Sequence, residues 1–400
     1  MLRLRRTGAL LDLPWELPLE AWPDDLAFRE LPVGPSRHLV RFLVAEGSLL
    51  ALKEEPMAVA EREYEVLAHL ERVGLPAVQP VGYALRPADD SAILVTEYLA
   101  HSLQFRRLLS RFPLGPGAYR GRLLDAMAWL LVDLHRGGVY WGDCSLANTL
   151  FRRDGDRIQA FLVDAETSEV HPSLSDGQRA YDLEVLVENV AYGLADVAML
   201  QGRPEDMDAA IVDAESVRDR YAGIWRELHL EPALPAGDRH AIRARLRRLN
   251  DLGFAVDEIE VQPAGSGSDV RLRVTATNRR FHAHELERLT GLRALEGQAR
   301  LLLNDLREYA AWLELRGGRH LDEAAAARRW RRQVLAPALR RLGPVIGERD
   351  PLQAYCDVLE HKWLLSEQAG RDVGLDAAIA AYLAEGAPAP EPISVAEPPG

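Results

Sequence analysis

Cysteine is almost missing from this chain. Cys144 and Cys356 are the only two in 400 residues, which excludes a disulfide framework and a cysteine-rich zinc pattern. No run of 18 apolar residues occurs, so no segment reads as a membrane span. The basic start Met1-Leu2-Arg3-Leu4-Arg5-Arg6 leads into an apolar stretch soon broken by Asp12, Pro14 and Glu16. That is a poor fit to a secretory leader, and the expectation is a cytoplasmic protein. Positive charge is also short: the formal net charge is −13, which argues against nucleic acid as a partner. Lysine is as scarce as cysteine. Among 48 lysines and arginines, only Lys53 and Lys362 are lysine. Arginine is a planar fork and lysine a compact point charge, so a lysine kept in an arginine-rich chain marks a place the fork does not fit. Lys53 ends the apolar run Ser48-Leu49-Leu50-Ala51-Leu52.

What is present divides the chain. Residues 1–27, with Trp15, Trp22 and several prolines, read as an extended arm. Strand candidates follow at Phe28–Pro32, His38–Ala45 and Ser48–Lys53, then a helix from Pro56 to about Arg72, then strands at Val78–Leu85 and Ala92–Tyr98. From about Ser102 the pattern is helical, with an amphipathic helix over Gly121–Gly137. Strands at Thr149–Arg152 and Ala160–Val163 flank the turn Asp154-Gly155, and helices resume from Asp182. Beyond about residue 225 the character changes. An arginine-rich helix (His240–Leu252) leads to two strands, Glu258–Gln262 and Asp269–Thr275, joined by Gly265-Ser266-Gly267-Ser268. Long helices then cover about 281–316, 321–342 and 351–368. From Gly386 the chain is proline-rich and reads as disordered. The expected parts are an arm (1–27), a small strand-rich lobe (28–100), a helical lobe (101–225), a mostly helical α+β module with a β-hairpin (226–385) and a tail (386–400).

The most telling stretch is Trp141-Gly142-Asp143-Cys144-Ser145-Leu146-Ala147-Asn148, followed by Phe161-Leu162-Val163-Asp164-Ala165-Glu166. An Asp, an Asn five residues on and an Asp at the end of an apolar strand supply the groups that phosphoryl transfer needs. Asp143 would take the acceptor hydroxyl's proton; Asn148 and Asp164 would hold Mg²⁺ against the phosphates of ATP. Lys53 would meet those phosphates and needs an acidic partner on the next helix. Of Glu61, Glu63 and Glu65, only Glu63 falls in the stripe of Val59, Leu67 and Leu70, and a buried carboxylate requires such a partner. Ser36 and Arg37, in the turn Val33-Gly34-Pro35-Ser36-Arg37-His38, would offer donors to phosphate where only one glycine is present. Glu97-Tyr98-Leu99 ends the last small-lobe strand, where the backbone of Glu97 and Leu99 would meet adenine. Glu166 has two readings, support for the metal site or a cap for the next turn. Ser145 is open between phosphate contact and loop bracing. His135 reads as a satisfied core histidine, Asp182 as a helix cap, with a bracing bond to the 141–148 loop as its other reading. Cys144 reads as a small residue in a tight loop.

Across about 28–225 these residues resemble the protein-kinase-like superfamily. Asp164-Ala165-Glu166 looks more like aminoglycoside and choline kinases than protein kinases, and Trp141-Gly142 replaces the His-Arg that precedes the base in most protein kinases. The whole chain also resembles an actinobacterial family that joins a lobe similar to lipopolysaccharide (Kdo-type) kinases to a C-terminal domain of unknown function. The segments carrying that likeness are Leu13-Pro14-Trp15, Trp141–Asn148 with Thr149-Leu150-Phe151-Arg152-Arg153, Arg248–Phe254 and Leu359-Glu360-His361-Lys362-Trp363. The resemblance implies a two-lobed kinase-like fold and an ATP- and Mg-dependent phosphotransferase acting on a hydroxyl of a small molecule, sugar or lipid head group. The alternative is a pseudokinase that binds nucleotide or scaffolds a protein partner through its C-terminal module.

Overall fold

The computed structural model describes residues 1–5, 8–31, 37–111, 118–235, 238–263, 269–276, 278–317 and 322–388. Residues 32–36, with Ser36 of the expected phosphate-covering turn, the expected hairpin turn at 265–268 and the proline-rich stretch beyond 388 lie outside them. The chain forms two compact units, one of residues 1–152 and 159–225, the other of 153–158 and 226–400.

The first unit begins with a six-stranded sheet in the order β1-β5-β6-β4-β3-β2. Its strands are β1 (Leu2–Leu4), β2 (Phe28–Arg29), β3 (Leu39–Ala45), β4 (Ser48–Pro56), β5 (Pro80–Arg86) and β6 (Ser91–Glu97). Every pairing is antiparallel. Helix α1 (Met57–Arg72) crosses between β4 and β5 and packs against β4, β5 and β6. Strand alternation divides the work of β4. Leu50 and Leu52 enter a core with Val81, Ile93 and Val95, which leaves Lys53 on the opposite face, toward α1.

That core explains a departure from expectation. Residues 1–27 are not an extended arm. Leu10, Trp15, Leu19 and Trp22 are buried against the sheet, and β1 pairs with β5. The Trp15 and Trp22 rings meet edge to face at 5.2 Å. Their indole N–H groups donate to Leu10 O (2.7 Å) and Leu17 O (3.2 Å), so the polar ends of both rings are satisfied. A sheet with apolar side chains on both faces needs cover on both; α1 supplies one and this segment the other.

The helical part of the first unit holds β7 (Ser102–Gln104), α2 (Phe105–Arg111), α3 (Ala118–Arg136), β8 (Val139–Tyr140), β9 (Thr149–Asp154), β10 (Arg157–Leu162), β11 (Glu169–Val170), α4 (Asp176–Leu200) and α5 (Met207–Leu228). Strands β10, β9 and β7 form one small sheet, β11 and β8 another. Helix α4 starts six residues before the expected Asp182. Ser175 is its N-cap and closes a capping box with Gln178, which satisfies two free amides at that end. Asp182 therefore sits inside the helix with its carboxylate free for another task.

The second unit contains β12 (Ala233–Pro235), α6 (Arg239–Asp251), β13 (Val256–Pro263), β14 (Asp269–Ala276), α7 (Phe281–Thr290), α8 (Glu296–Gly317), α9 (Glu323–Trp330), α10 (Ala336–Ile346), α11 (Pro351–Ala369) and α12 (Leu375–Ala384). Its sheet runs β12-β14-β13. Its core gathers Leu286, Leu302, Trp330, Leu342, Tyr355 and Ile379. Two of the expected long helices are divided. Gly291, at φ 72°, ends α7 with its N–H on Glu287 O, a left-handed cap that glycine takes without strain. A π-helical turn at Arg331–Leu335 separates α9 from α10. Pro337 follows it and has no N–H for the helical ladder. The tip residues 153–158, expected in the helical lobe, group with this unit instead. Asp154 accepts from the N–H groups of Gly297 (2.8 Å) and Gln298 (2.7 Å) at the start of α8. No described helix is long and apolar enough to cross a membrane.

Candidate active site

The site lies within the first unit, in a cleft of about 380 Å³. Lys53 is its electrostatic centre. Its Nζ is 2.8 Å from Glu63 Oε2, 2.9 Å from Glu55 Oε2 and 3.1 Å from Asp164 Oδ2. Burial works to lower the lysine pKa, but Glu63, Asp164 and Glu55 outweigh it and the net shift is upward. Glu63 uses its other oxygen to accept the Ala165 N–H at 3.2 Å. One α1 carboxylate thus ties the strand lysine to the segment that carries Asp164. Burial first, and then Glu55, push the Glu63 carboxyl up to about 8, against the pull of Lys53. Burial also raises Glu55. One ammonium cannot neutralise three neighbouring carboxylates, so the cluster favours protons or added cations.

Asp143 and Asn148 are held by a braced loop. Asp182 accepts the N–H of Trp141 (2.7 Å) and of Gly142 (2.9 Å). The same carboxylate meets His135 Nε2 at 3.1 Å, while His135 Nδ1 meets the Tyr221 hydroxyl at 2.8 Å. Burial lowers the His135 pKa despite Asp182, so the ring stays neutral and structural. Asp182 is the loop's brace rather than a helix cap. Gly142 has φ +81°, and a Cβ there would lie 2.8 Å from Thr167 O, so a side chain at that position would be both strained and crowded. The Thr167 hydroxyl accepts the Asp143 N–H at 3.1 Å and donates to Trp141 O at 3.0 Å. Asn148 Nδ2 donates to Asp143 O (3.2 Å) and Oδ2 (3.1 Å). The Ser145 hydroxyl accepts the Asn148 N–H at 3.2 Å, which is the bracing contact. Cys144 is wholly buried, and burial holds its thiol well above the ordinary range, so it is not a reactive thiolate.

The remaining residues fall around the same cleft. Arg37, His38, Glu97, Leu99, Asp143, Asn148, Asp164 and Glu166 all line it. The Tyr98 N–H is taken by Leu49 O at 3.0 Å, and Leu99 O accepts the Ser102 hydroxyl at 2.7 Å. Val40, Ala51, Val78, Leu150 and Val163 supply apolar wall. Glu166 donates its N–H to Asp164 Oδ1 at 3.1 Å and turns its carboxylate to His38 Nε2, 3.1 Å away. Sequence reasoning passed over Glu55 and His38. Glu55 carried a signal: it stands two residues after Lys53 on a strand and so shares its face.

The donor set can be tested against the groups a phosphotransferase uses. Carboxylate and amide oxygens on Asp164 and Asn148 suit a hard divalent cation. A lysine locked in its charged form suits phosphate, and an apolar wall beside a strand end suits a flat base. The residues fit ATP and Mg²⁺.

A five-residue Asp-to-Asn loop braced from a helix, with a sheet lysine clamped by a helix carboxylate, defines a protein-kinase-like domain. Residues 48–201 match the lipopolysaccharide kinase (Kdo/WaaP) family, and residues 223–386 match a domain of unknown function, DUF4032. The chain is similar to the lipopolysaccharide core heptose(I) kinase WaaP of Pseudomonas aeruginosa, with 26% identity over 141 residues, 33% of this chain and 52% of that protein. It spans about half the length of that curated relative. A solved structure of WaaP in complex with acyl carrier protein is similar over 48% of this chain and 90% of that one, at 20% identity and a TM-score of 0.32. The chain thus joins a kinase-like domain similar to the Kdo/WaaP family to a C-terminal region that matches DUF4032.

Proposed function

We propose that the first unit is a phosphotransferase that moves the γ-phosphoryl group of ATP to a hydroxyl, with a sugar or a sugar-bearing lipid head group as the acceptor. The observation that carries this reading is the position of Lys53, clamped by Glu63 and 3.1 Å from Asp164, on the wall of a cleft shared with Asp143 and Asn148. The match of residues 48–201 to a lipopolysaccharide kinase family, and the likeness to a heptose kinase, favour a sugar hydroxyl. Asp143 orients that hydroxyl and receives its proton at the carboxylate. Lys53 holds the α- and β-phosphates; Glu63 keeps its ammonium aimed into the cleft. Asn148 and Asp164 would hold Mg²⁺, which when bound neutralises phosphate charge. The work of the site is then positioning and charge stabilisation, as phosphoryl transfer requires.

The test is nucleotide turnover by purified full-length protein with a panel of sugar acceptors. Asp143→Asn is expected to lower the transfer rate by about 10²–10⁴-fold, the usual contribution of a positioned base, with the melting temperature unchanged. Failure to bind nucleotide at millimolar ATP overturns the proposal. Stabilisation by ATP with no transfer to any acceptor supports a nucleotide-binding scaffold instead.

A further inference from the structure

We propose that His38, Glu55 and Glu166 form a second cation site beside Lys53, built for a divalent transition-series ion such as Mn²⁺. Each residue offers one ligand atom, and these atoms lie within 4.8 Å of one another. That is close to the roughly 4 Å that separates opposed ligands around an ion with bonds of ~2 Å. His38 Nε2 and Glu166 Oε2 are already 3.1 Å apart. The three residues come from separate segments: the start of the strand β3 hairpin, strand β4, and the stretch after β10.

Glu55 is the observation that asks for an ion. Its side chain is 0% exposed. Its Oε1 has no hydrogen-bond partner among the described residues. Lys53 reaches Oε2 at 2.9 Å, which leaves Oε1 buried and unanswered. Burying a charged oxygen without a partner is costly unless a cation or a proton meets it. The surroundings sharpen the need. Glu55, Glu63, Asp164 and Glu166 crowd one region, with Lys53 shared among three of them. His38 and Glu166 open onto the cleft, which gives an ion a way in.

The donor set selects the kind of ion. An imidazole nitrogen with two carboxylates suits the first transition series, whereas Mg²⁺ takes oxygen ligands and keeps most of its water. The site differs from the Asn148–Asp164 pair in both residues and donor chemistry. A bound ion would fasten the start of β3 to the segment after β10.

The test titrates full-length protein with MnCl₂, without nucleotide or acceptor, and follows electron spin resonance of free and bound Mn²⁺. Because no phosphotransfer is involved, its outcome is separable from that of the proposed activity. A bound ion showing echo modulation from a directly coordinated imidazole nitrogen is expected. His38→Ala should remove the modulation and weaken binding more than about tenfold, since even outer-sphere changes at metal sites cost that much. Glu55→Gln and Glu166→Gln should weaken binding, while Asp164→Asn should keep the nitrogen signal. The His38 side chain is 21% exposed, and melting curves of each variant separate lost binding from lost folding. Absence of Mn²⁺ binding, binding without nitrogen modulation, or binding that survives His38→Ala and vanishes in Asp164→Asn each overturns the site.

Discussion

Buried carboxylates in the second unit and those around Lys53 in the first are treated in opposite ways. In the second, Asp154, Glu296 and Asp357 are closed. Asp154 accepts two backbone N–H groups at the start of α8. Glu296 accepts the N–H groups of His282 and Ala283, both at 3.0 Å, and meets the His282 ring at 2.6 Å. Asp357 is paired with Arg153 at 2.9 Å and accepts from Gln353 at 2.9 Å. Around Lys53, by contrast, Glu55 and Glu63 share a single lysine with Asp164, and Glu55 Oε1 has no hydrogen-bond partner among the described residues. Closed carboxylates hold backbone together. Open ones store unmet demand for positive charge, which is useful where a charged ligand is to be received.

The comparison can be broken by substitution. The largest effect is expected from Asp154→Ala, which strands two buried N–H groups and should cost about 2–4 kcal/mol, read by urea unfolding. Glu55→Gln should act with the opposite sign, raising stability by about 1 kcal/mol, because it removes a buried charge whose lysine retains two other partners. If Glu55→Gln destabilises instead, the cluster is closed after all.

The pH dependence sharpens the contrast further. The folded Glu63 carboxyl is raised to about 8 from an ordinary 4.5. Between those values the folded state binds more protons than the unfolded one. Its contribution is therefore fully present below about pH 4.5 and is lost as pH rises through 8. The melting temperature of the wild type should fall across that window relative to Glu63→Gln, and scans at half-unit steps would show it. The smallest effect concerns the thiols. Both Cys144 and Cys356 are buried and raised well above their ordinary value by burial. Neither should react with iodoacetamide at pH 7 in native protein, and mass spectrometry should find both alkylated only after unfolding.

Much of the fold is legible from local rules. The strand run Ser48–Lys53, the helix after Pro56 and the hairpin around Asp154-Gly155 follow from alternation, periodicity and turn residues, and the structure has β4, α1 and the β9–β10 pair there. The apolar stripe singles out Glu63, and the structure puts it 2.8 Å from Lys53. Other features were hidden because their causes are distant in sequence. The first residues look like an arm until the sheet presents an apolar face for Trp15 and Trp22 to cover. Asp182 looks like a cap until Ser175 takes that role and the loop amides of Trp141 and Gly142 turn out to be its partners.

The sequence by itself determined which residue types could do the chemistry and roughly where the strands and helices fall. Period and spacing are local properties, set by φ, ψ and the order of side chains along the chain. Only the tertiary structure decided that the ligand atoms of His38, Glu55 and Glu166 lie within 4.8 Å of one another, and that Glu55 is buried with a carboxylate oxygen unanswered. Burial, and the field of neighbouring charges, are properties of packing across segments far apart in the chain. No single stretch of sequence contains them.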